Sequence, residues 1–184
     1  MADVTIGQLS PNTPSKNSAI IPYSDGSTTY RTAPSGIVAA SPGCVLQSIL
    51  KTSTNTVDNQ TTTYADITNL LQTITPKSVN SKILIAANIA ILYASNNSIY
   101  VGLQIVRDST IIYTDDYATG MGVNIQLAPY VTVPLFVQDT PNTTNPVTYK
   151  VQFKRTSFAG TYGGACGVGY NSRPSTLLIQ EIAG

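Results

Sequence analysis

The stretch Val147-Thr148-Tyr149-Lys150-Val151-Gln152-Phe153-Lys154 alternates without a break. Val, Tyr, Val and Phe fall on one side of an extended chain; Thr, Lys, Gln and Lys fall on the other. A period of two is incompatible with a helix and specifies a strand with one buried and one wet face. The same alternation recurs in Ile99–Arg107, with Val101, Leu103 and Ile105 set against Gly102 and Gln104, and in Val123, Ile125 and Leu127. It returns in Val131, Val133, Leu135 and Val137. Further strands are expected at Val45–Ser53, Ile67–Thr75, Thr110–Thr114 and Ser175–Ile182. Turn chemistry separates them: Pro76-Lys77-Ser78, Asp108-Ser109, Asp139-Thr140-Pro141-Asn142 and Asn171-Ser172-Arg173-Pro174. Short strands at near-regular spacing, with no amphipathic helix among them, predict an all-β fold, an antiparallel β-sandwich of jelly-roll type.

The run Ile83–Ala94 carries a second message. One alternate set, Ile83, Ile85, Ala87, Ile89, Ile91 and Tyr93, is a core face. The other, Leu84, Ala86, Asn88, Ala90 and Leu92 (then Ala94), is also largely apolar but built of small residues. A strand apolar on both faces is covered on both. The outer face of a sandwich has no second sheet to cover it, so Leu84, Ala86, Asn88, Ala90 and Leu92 are expected at a contact between subunits.

The chain divides near residue 44. Residues 1–43 hold Pro11, Pro14, Pro22, Pro34 and Pro42, nearly half of the 11 prolines. Proline at that density removes backbone donors and blocks regular ladders. Yet the segment repeatedly offers apolar side chains: Val4, Ile6, Leu9, Ile20, Ile21, Tyr23, Tyr30, Ile37 and Val38. It is read as an extended arm (1–43) that orders against a partner surface through those residues, attached to a β-sandwich domain (44–184).

Composition then removes most chemistry. There is no His, which rules out the Ser-His-Asp triad, the Cys-His dyad, His-ligated zinc and the usual neutral-pH acid–base group. Charged residues are 10%, against roughly 25% in an average domain. Lys+Arg is 10 and Asp+Glu 9, a balance with no electrostatic footprint for nucleic acid or an anionic membrane. The longest apolar run is too short to span a bilayer as a helix, so no membrane insertion is expected. The first residues lack a cationic and apolar leader, and synthesis and folding in a cytoplasm are expected. The only adjacent carboxylates, Asp115-Asp116, point to opposite sides of an extended chain and make neither a glycosidase dyad nor an EF-hand calcium loop. The glycine-rich run Gly160–Tyr170 lacks the Lys-Ser/Thr of a phosphate loop and is read as close backbone approach. Cys44 and Cys166 are read as inert thiols, with no CxxC partner or basic flank. No catalytic residue, cofactor or metal is expected.

Several segments together resemble small virion proteins of tailed bacteriophages, notably those infecting cyanobacteria. They are "IPYSDGSTTYR" ahead of a β-domain, "ITPKSVNSKILI", the hairpin "LQIVRDSTII" (Ser109 standing where Gly is common), "PVTYKVQFK" and the terminal "RPSTLLIQEIAG". The resemblance covers nearly the whole chain. It implies a phage structural protein: a homotrimer with a jelly-roll domain, acting as a capsid cement (decoration) protein or as a tail- or head-fibre module. The chain shows no repeated shaft, which favours the cement role, with the arm and the domain base on the major capsid protein. The location implied is the virion, on the capsid exterior. The alternative is a fibre module binding a host surface glycan through its Tyr-, Asn- and Thr-rich loops.

Overall fold

The computed structural model describes residues 21–24, 29–32, 42–94, 100–118, 130–156 and 165–184. The chain forms two compact units, residues 1–41 and 42–184.

The first unit contains a hairpin. Strand β1 (Ile21–Ser24) pairs antiparallel with β2 (Thr29–Thr32), from Ile21 opposite Thr32 to Ser24 opposite Thr29. The connecting sequence opens with Asp25-Gly26, a strong short-range hairpin signal. The expectation of a wholly extended arm did not include this pairing. Val4, Ile6, Leu9, Ile20, Ile37 and Val38 lie outside the described residues, as do the side chains of Ile21, Tyr23 and Tyr30.

The second unit is built from β3 (Val45–Ser53), β4 (Val57–Asp58), β5 (Ala65–Ile74), β6 (Lys82–Ala94) and β7 (Tyr100–Arg107). It continues with β8 (Thr110–Asp115), β9 (Tyr130–Asp139), β10 (Val147–Thr156), β11 (Ala165–Val168) and β12 (Ser175–Ile182). One sheet has the order β5-β10-β7-β8. In the other, β6 is central. Strand β9 lines one edge of β6; β12 and then β11 share its other edge, with β3 beyond β12 and β4 beyond β11. All pairings are antiparallel.

The pairs β3·β12, β5·β10, β6·β9 and β7·β8 are successive rungs of one long folded ribbon, the topology of a jelly roll. The expected all-β antiparallel sandwich is thus what the chain forms. Each sheet lays its alternate apolar residues on the other. Val147, Tyr149, Val151 and Phe153 of β10 and Val101, Leu103 and Ile105 of β7 face Ile83, Ile85, Ala87, Ile89 and Ile91 of β6 and Leu177 and Ile179 of β12 in one core. Strand β10 alternates buried and half-buried over its first eight residues, as its sequence requires.

Two irregularities position side chains. In β5, residues 67–70 bulge out between Asp66, opposite Gln152, and Leu71, opposite Lys150. Asn69 takes the left-handed conformation there (φ 63°), and both Ile67 and Leu70 reach the core. A bulge on an edge strand also spoils that edge for further pairing. Between β11 and β12 the chain leaves the β6 ladder through a short 3-10 turn, Tyr170–Ser172. The ladder is patched rather than broken: Ala90 O accepts from Gly169 N–H at 3.3 Å, and Ala90 N–H donates to Ser175 Oγ at 3.0 Å. The expected strand Val123–Leu127 and residues 160–164 of the glycine-rich run lie outside the described residues.

Candidate functional site

Every carboxylate among the described residues accepts a hydrogen bond within the fold. Asp139 accepts from Arg107 and from the Tyr149 hydroxyl, each at 2.6 Å. Asp66 accepts from Gln152 at 2.6 Å and Lys150 at 3.0 Å. Asp58 accepts from the Tyr170 hydroxyl at 2.6 Å, and Asp108 from the Thr148 amide at 2.9 Å. Glu181, fully buried, accepts from the Ser81 hydroxyl and the Lys77 amide at 2.6 Å and from Gln47 at 2.5 Å. Asp115 accepts from the Tyr117 amide at 2.8 Å, while Asp116 accepts from the Tyr64 hydroxyl at 2.7 Å and Lys154 at 2.9 Å. The Asp115-Asp116 pair is therefore occupied by separate partners and does not converge on a common point. No three potential metal ligands cluster among the described residues.

Cys166 is buried, and its Sγ donates to Asn59 O at 3.0 Å. Burial pushes its thiol up to about 11, so at neutral pH it is neither nucleophile nor ligand. The described part of the glycine-rich run approaches its own chain. The Tyr170 ring lies over Gly167, and Gly169 (φ 79°) sits against the Asn55 carbonyl.

With chemistry absorbed into structure, the two outer sheet faces differ. The face of β5-β10-β7-β8 carries charged pairs, beside the exposed Leu71 and Ile111. Lys150 and Gln152 hold Asp66: burial works to raise its pKa, but these two hydrogen bonds outweigh it and keep the carboxyl below the usual range. Asp116 is likewise held low, by Lys154 and Tyr64. The Lys154 ammonium also lies 4.6 Å above the Tyr64 ring. Gly102 lies close beneath them: a Cβ there would come within 2.9 Å of Tyr64 Oη, so that side chain would have to shift.

The face of β3-β12-β6-β9 is the candidate site. Register places its outward side chains in rows that cross all four strands. The middle row is Leu50, Leu178, Ala86, Phe136. On one side of it runs Ser48, Gln180, Leu84, Gln138; on the other, Thr52, Thr176, Asn88, Pro134. No side chain in the three rows is charged. The row's two ends are open: Leu50 is 63% exposed and Phe136 73%.

The sequence grouped Leu84, Ala86, Asn88, Ala90 and Leu92 as one subunit contact. The structure divides them. Ala90 (6% exposed) and Leu92 (7%) are buried by this chain and need no partner to cover them. Asn88 is exposed, and Leu84 and Ala86 are half-buried. Leu50, Leu178 and Phe136 join the open part of the face, and the sequence reading did not place them there. Their signal was present as the apolar member on the polar side of each alternation, but only the register shows that they line up.

No protein-family model matches the chain, and no curated protein matches it. Among solved structures, infectious bursal disease virus VP2 in a subviral particle is similar at 15% identity and TM-score 0.39, over 90% of this chain and 43% of that one. Particles of T=1 type derived from infectious bursal virus are similar at 13% identity and TM-score 0.42, over 93% of this chain and 44% of that one. Latent PorU from Porphyromonas gingivalis is similar at 7% identity and TM-score 0.31, over 78% of this chain and 14% of that one. The chain spans less than half the length of each of these structures. Likeness at this level does not say what the chain binds.

Proposed function

We propose that the chain is a non-enzymatic structural protein of a bacteriophage virion: a trimeric capsid cement protein on the head exterior. Residues 1–43 and the base of the domain bind the major capsid protein and stabilise the shell. The observation that carries this reading is the set of three uncharged side-chain rows on the outer face of β3-β12-β6-β9, bounded by Lys82 one row further along β6, on a domain whose described carboxylates all accept hydrogen bonds within its own fold. Such a domain offers surfaces for assembly. The order and spacing of the phage-like sequence segments supply the setting, and a trimer multiplies weak arm contacts by avidity. Extended at up to ~3.3 Å per residue, the part of the arm outside the β1·β2 hairpin would span on the order of 100 Å.

The test is copy number in purified virions, by quantitative mass spectrometry against the major capsid protein. A simple lattice fraction, hundreds of copies per particle, supports cement. A few to a few tens of copies places the protein on a tail or special vertex and overturns the cement role. A second check removes residues 1–43: capsid decoration should be lost while the truncated protein remains a folded trimer, and full-occupancy decoration by the truncated protein would refute the arm's role.

A fibre module that binds host glycan is the second reading. The observation in its favour is the exposed polar–aromatic turn where Arg173 lies 4.3 Å above the Tyr130 ring, Asn171 bonds the Tyr130 hydroxyl, and Tyr170 bonds Asp58. Saturable adsorption of the protein to host cells, lost in Asn171→Ala, is the outcome that would favour it.

A further inference from the structure

We propose that Pro42, Gly43 and Cys44 form a locked joint, which fixes the direction in which the chain leaves the β-sandwich toward residues 1–41 and so presents the arm for docking with its root already ordered. The inference rests on the arm reading above and adds how the arm is held. Residues 42–44 lie within the second unit, so the joint is part of the domain.

The backbone is the first observation. Pro42 and Gly43 form a turn directly ahead of β3. Proline fixes φ at about −65°. Gly43 has φ 84°. Proline followed by a residue of positive φ is the pairing of the two central positions of a type II turn. A Cβ on Gly43 would meet nothing within 4 Å, so space does not call for glycine here. The left-handed backbone does.

The bonding is the second. Gly43 N–H donates to Ala183 O at 2.8 Å, and Ala183 N–H donates to Cys44 O at 2.8 Å. This reciprocal pair holds the turn against the residues that follow β12. Swivelling at residue 43 would break both bonds, so rotation is opposed by more than steric preference.

The seat of the joint is the third. Leu46 O accepts from the Lys77 ammonium at 3.2 Å. The Gln47 side-chain amide donates to Thr75 O at 2.8 Å and to Glu181 at 2.5 Å. Gly184 lies against the Asn80 carbonyl, too close to admit a Cβ. The strand into which the joint leads and the segment to which it is bonded are thus both fastened to the 75–81 crossover. A pull on the arm passes into three segments of the domain rather than into one edge strand.

Order at the root matters for docking. Each backbone residue that must be ordered on binding weakens affinity by about 5- to 30-fold. Residues 42–44 are ordered before the arm meets its partner.

The experiment uses the full chain and a probe it already carries. Cys44 is half-buried beside the turn, whereas Cys166 is fully buried, so a thiol reagent added to the native protein reads Cys44. The unmodified protein is compared with Gly43→Val and Gly43→Asn. A β-branched residue is a poor occupant of positive φ, while Asn tolerates it, and neither Cβ meets an obstacle. Gly43→Val should raise Cys44 labelling and amide exchange at Ala183 by at least about tenfold and leave exchange in β10 unchanged. Gly43→Asn should stay close to the unmodified protein. A Val variant as closed as the unmodified protein would overturn the joint, and so would an Asn variant as open as the Val variant. Should Gly43→Val disturb β10, Pro42→Gly asks the same question more gently. It frees φ at residue 42, keeps Gly43 and the four bonded atoms, and should move both readouts in the same direction; no movement would overturn the joint. Binding to capsids lacking the protein is then measured. Gly43→Val should bind at least about tenfold more weakly and Gly43→Asn should match the unmodified protein. Unchanged binding through an opened joint would overturn its role in docking. If removal of residues 1–43 leaves capsid binding intact, the arm reading and that role fail together, while labelling and exchange still decide whether the joint is locked.

Discussion

Arg107 of β7 and Asp139 at the end of β9 belong to different sheets, and their side chains meet at 2.6 Å across the sandwich. The Tyr149 hydroxyl, from buried Tyr149 on β10, adds a second bond to the same carboxylate oxygen. Burial acts to lower the Arg107 pKa, but the Asp139 carboxylate more than reverses this and keeps the guanidinium above its ordinary value. The pair is mostly buried, so removing the anion leaves a cation and a tyrosine hydroxyl without their acceptor. Asp139→Asn should cost about 2–3 kcal/mol, read as a lower urea midpoint at unchanged m-value. The paired change Arg107→Met with Asp139→Asn should cost less than the sum of the single changes.

Acid should weaken the fold through the polar face. Asp66 and Asp116 both have pKa values held below the ordinary carboxylate range. A carboxylate depressed in the folded state contributes stability above its unfolded value, near 3.9, and loses it as the pH falls through the folded value. The loss therefore belongs below about pH 4, not at neutral pH. Both side chains are about half exposed, so each contributes no more than about 0.5 kcal/mol. Thermal unfolding from pH 6 to pH 2 should show this slope reduced in a Lys150→Met, Lys154→Met variant. The same slope should shrink in 1 M salt.

Much of this fold was legible before any coordinates. Alternation in Val147–Lys154 and in Val131–Val137 marked two strands, because a period of two survives only when one face is buried. Local patterns do not report pairing. The sequence could not show that Leu50, Leu178, Ala86 and Phe136 share a row, since they lie on four strands whose order is set by the ribbon's wrapping. It could not separate Ala90 from Ala86 either: both are small outward residues of β6, and only the packing around the far end of the strand buries the former. The bulge at residues 67–70 was equally hidden, because Ile67 and Leu70 are spaced three apart and break the alternation that marks a strand.

Gly169 is required by both of its surroundings. Its φ of 79° lies in the left-handed region, where a side chain is disfavoured, and a Cβ would collide with the Asn55 carbonyl. The backbone on the other side cannot yield freely, because Gly169 N–H supplies the bond that Ala90 O needs at the β11–β12 interruption. Gly169→Ala should cost about 2–4 kcal/mol. Amide exchange should quicken at Ala90 and through β11 and leave the β5-β10-β7-β8 sheet protected, which separates a local lesion from a uniform loss of stability.

Glu181 is the one charged residue on the inner side of β12, and its partners among the described residues are neutral donors. Its carboxylate collects the Lys77 amide, the Ser81 hydroxyl and the Gln47 amide group. Lys77 and Ser81 belong to the crossover that carries the chain from β5 in one sheet to β6 in the other, and Gln47 to β3. One acceptor group thus fastens the crossover to the C-terminal strand, and three donors that would otherwise be stranded near the core are satisfied. Glu181→Gln keeps the shape but puts an amide donor where an acceptor was, facing donors already in place. It should cost about 2–3 kcal/mol by chemical denaturation. Glu181→Ala should cost at least as much, because it leaves all three donors unmet. If the group acts as a fastener, amide exchange in residues 76–81 rises before that of β10. Equal acceleration in both would mean that Glu181 supports the whole sandwich rather than the crossover.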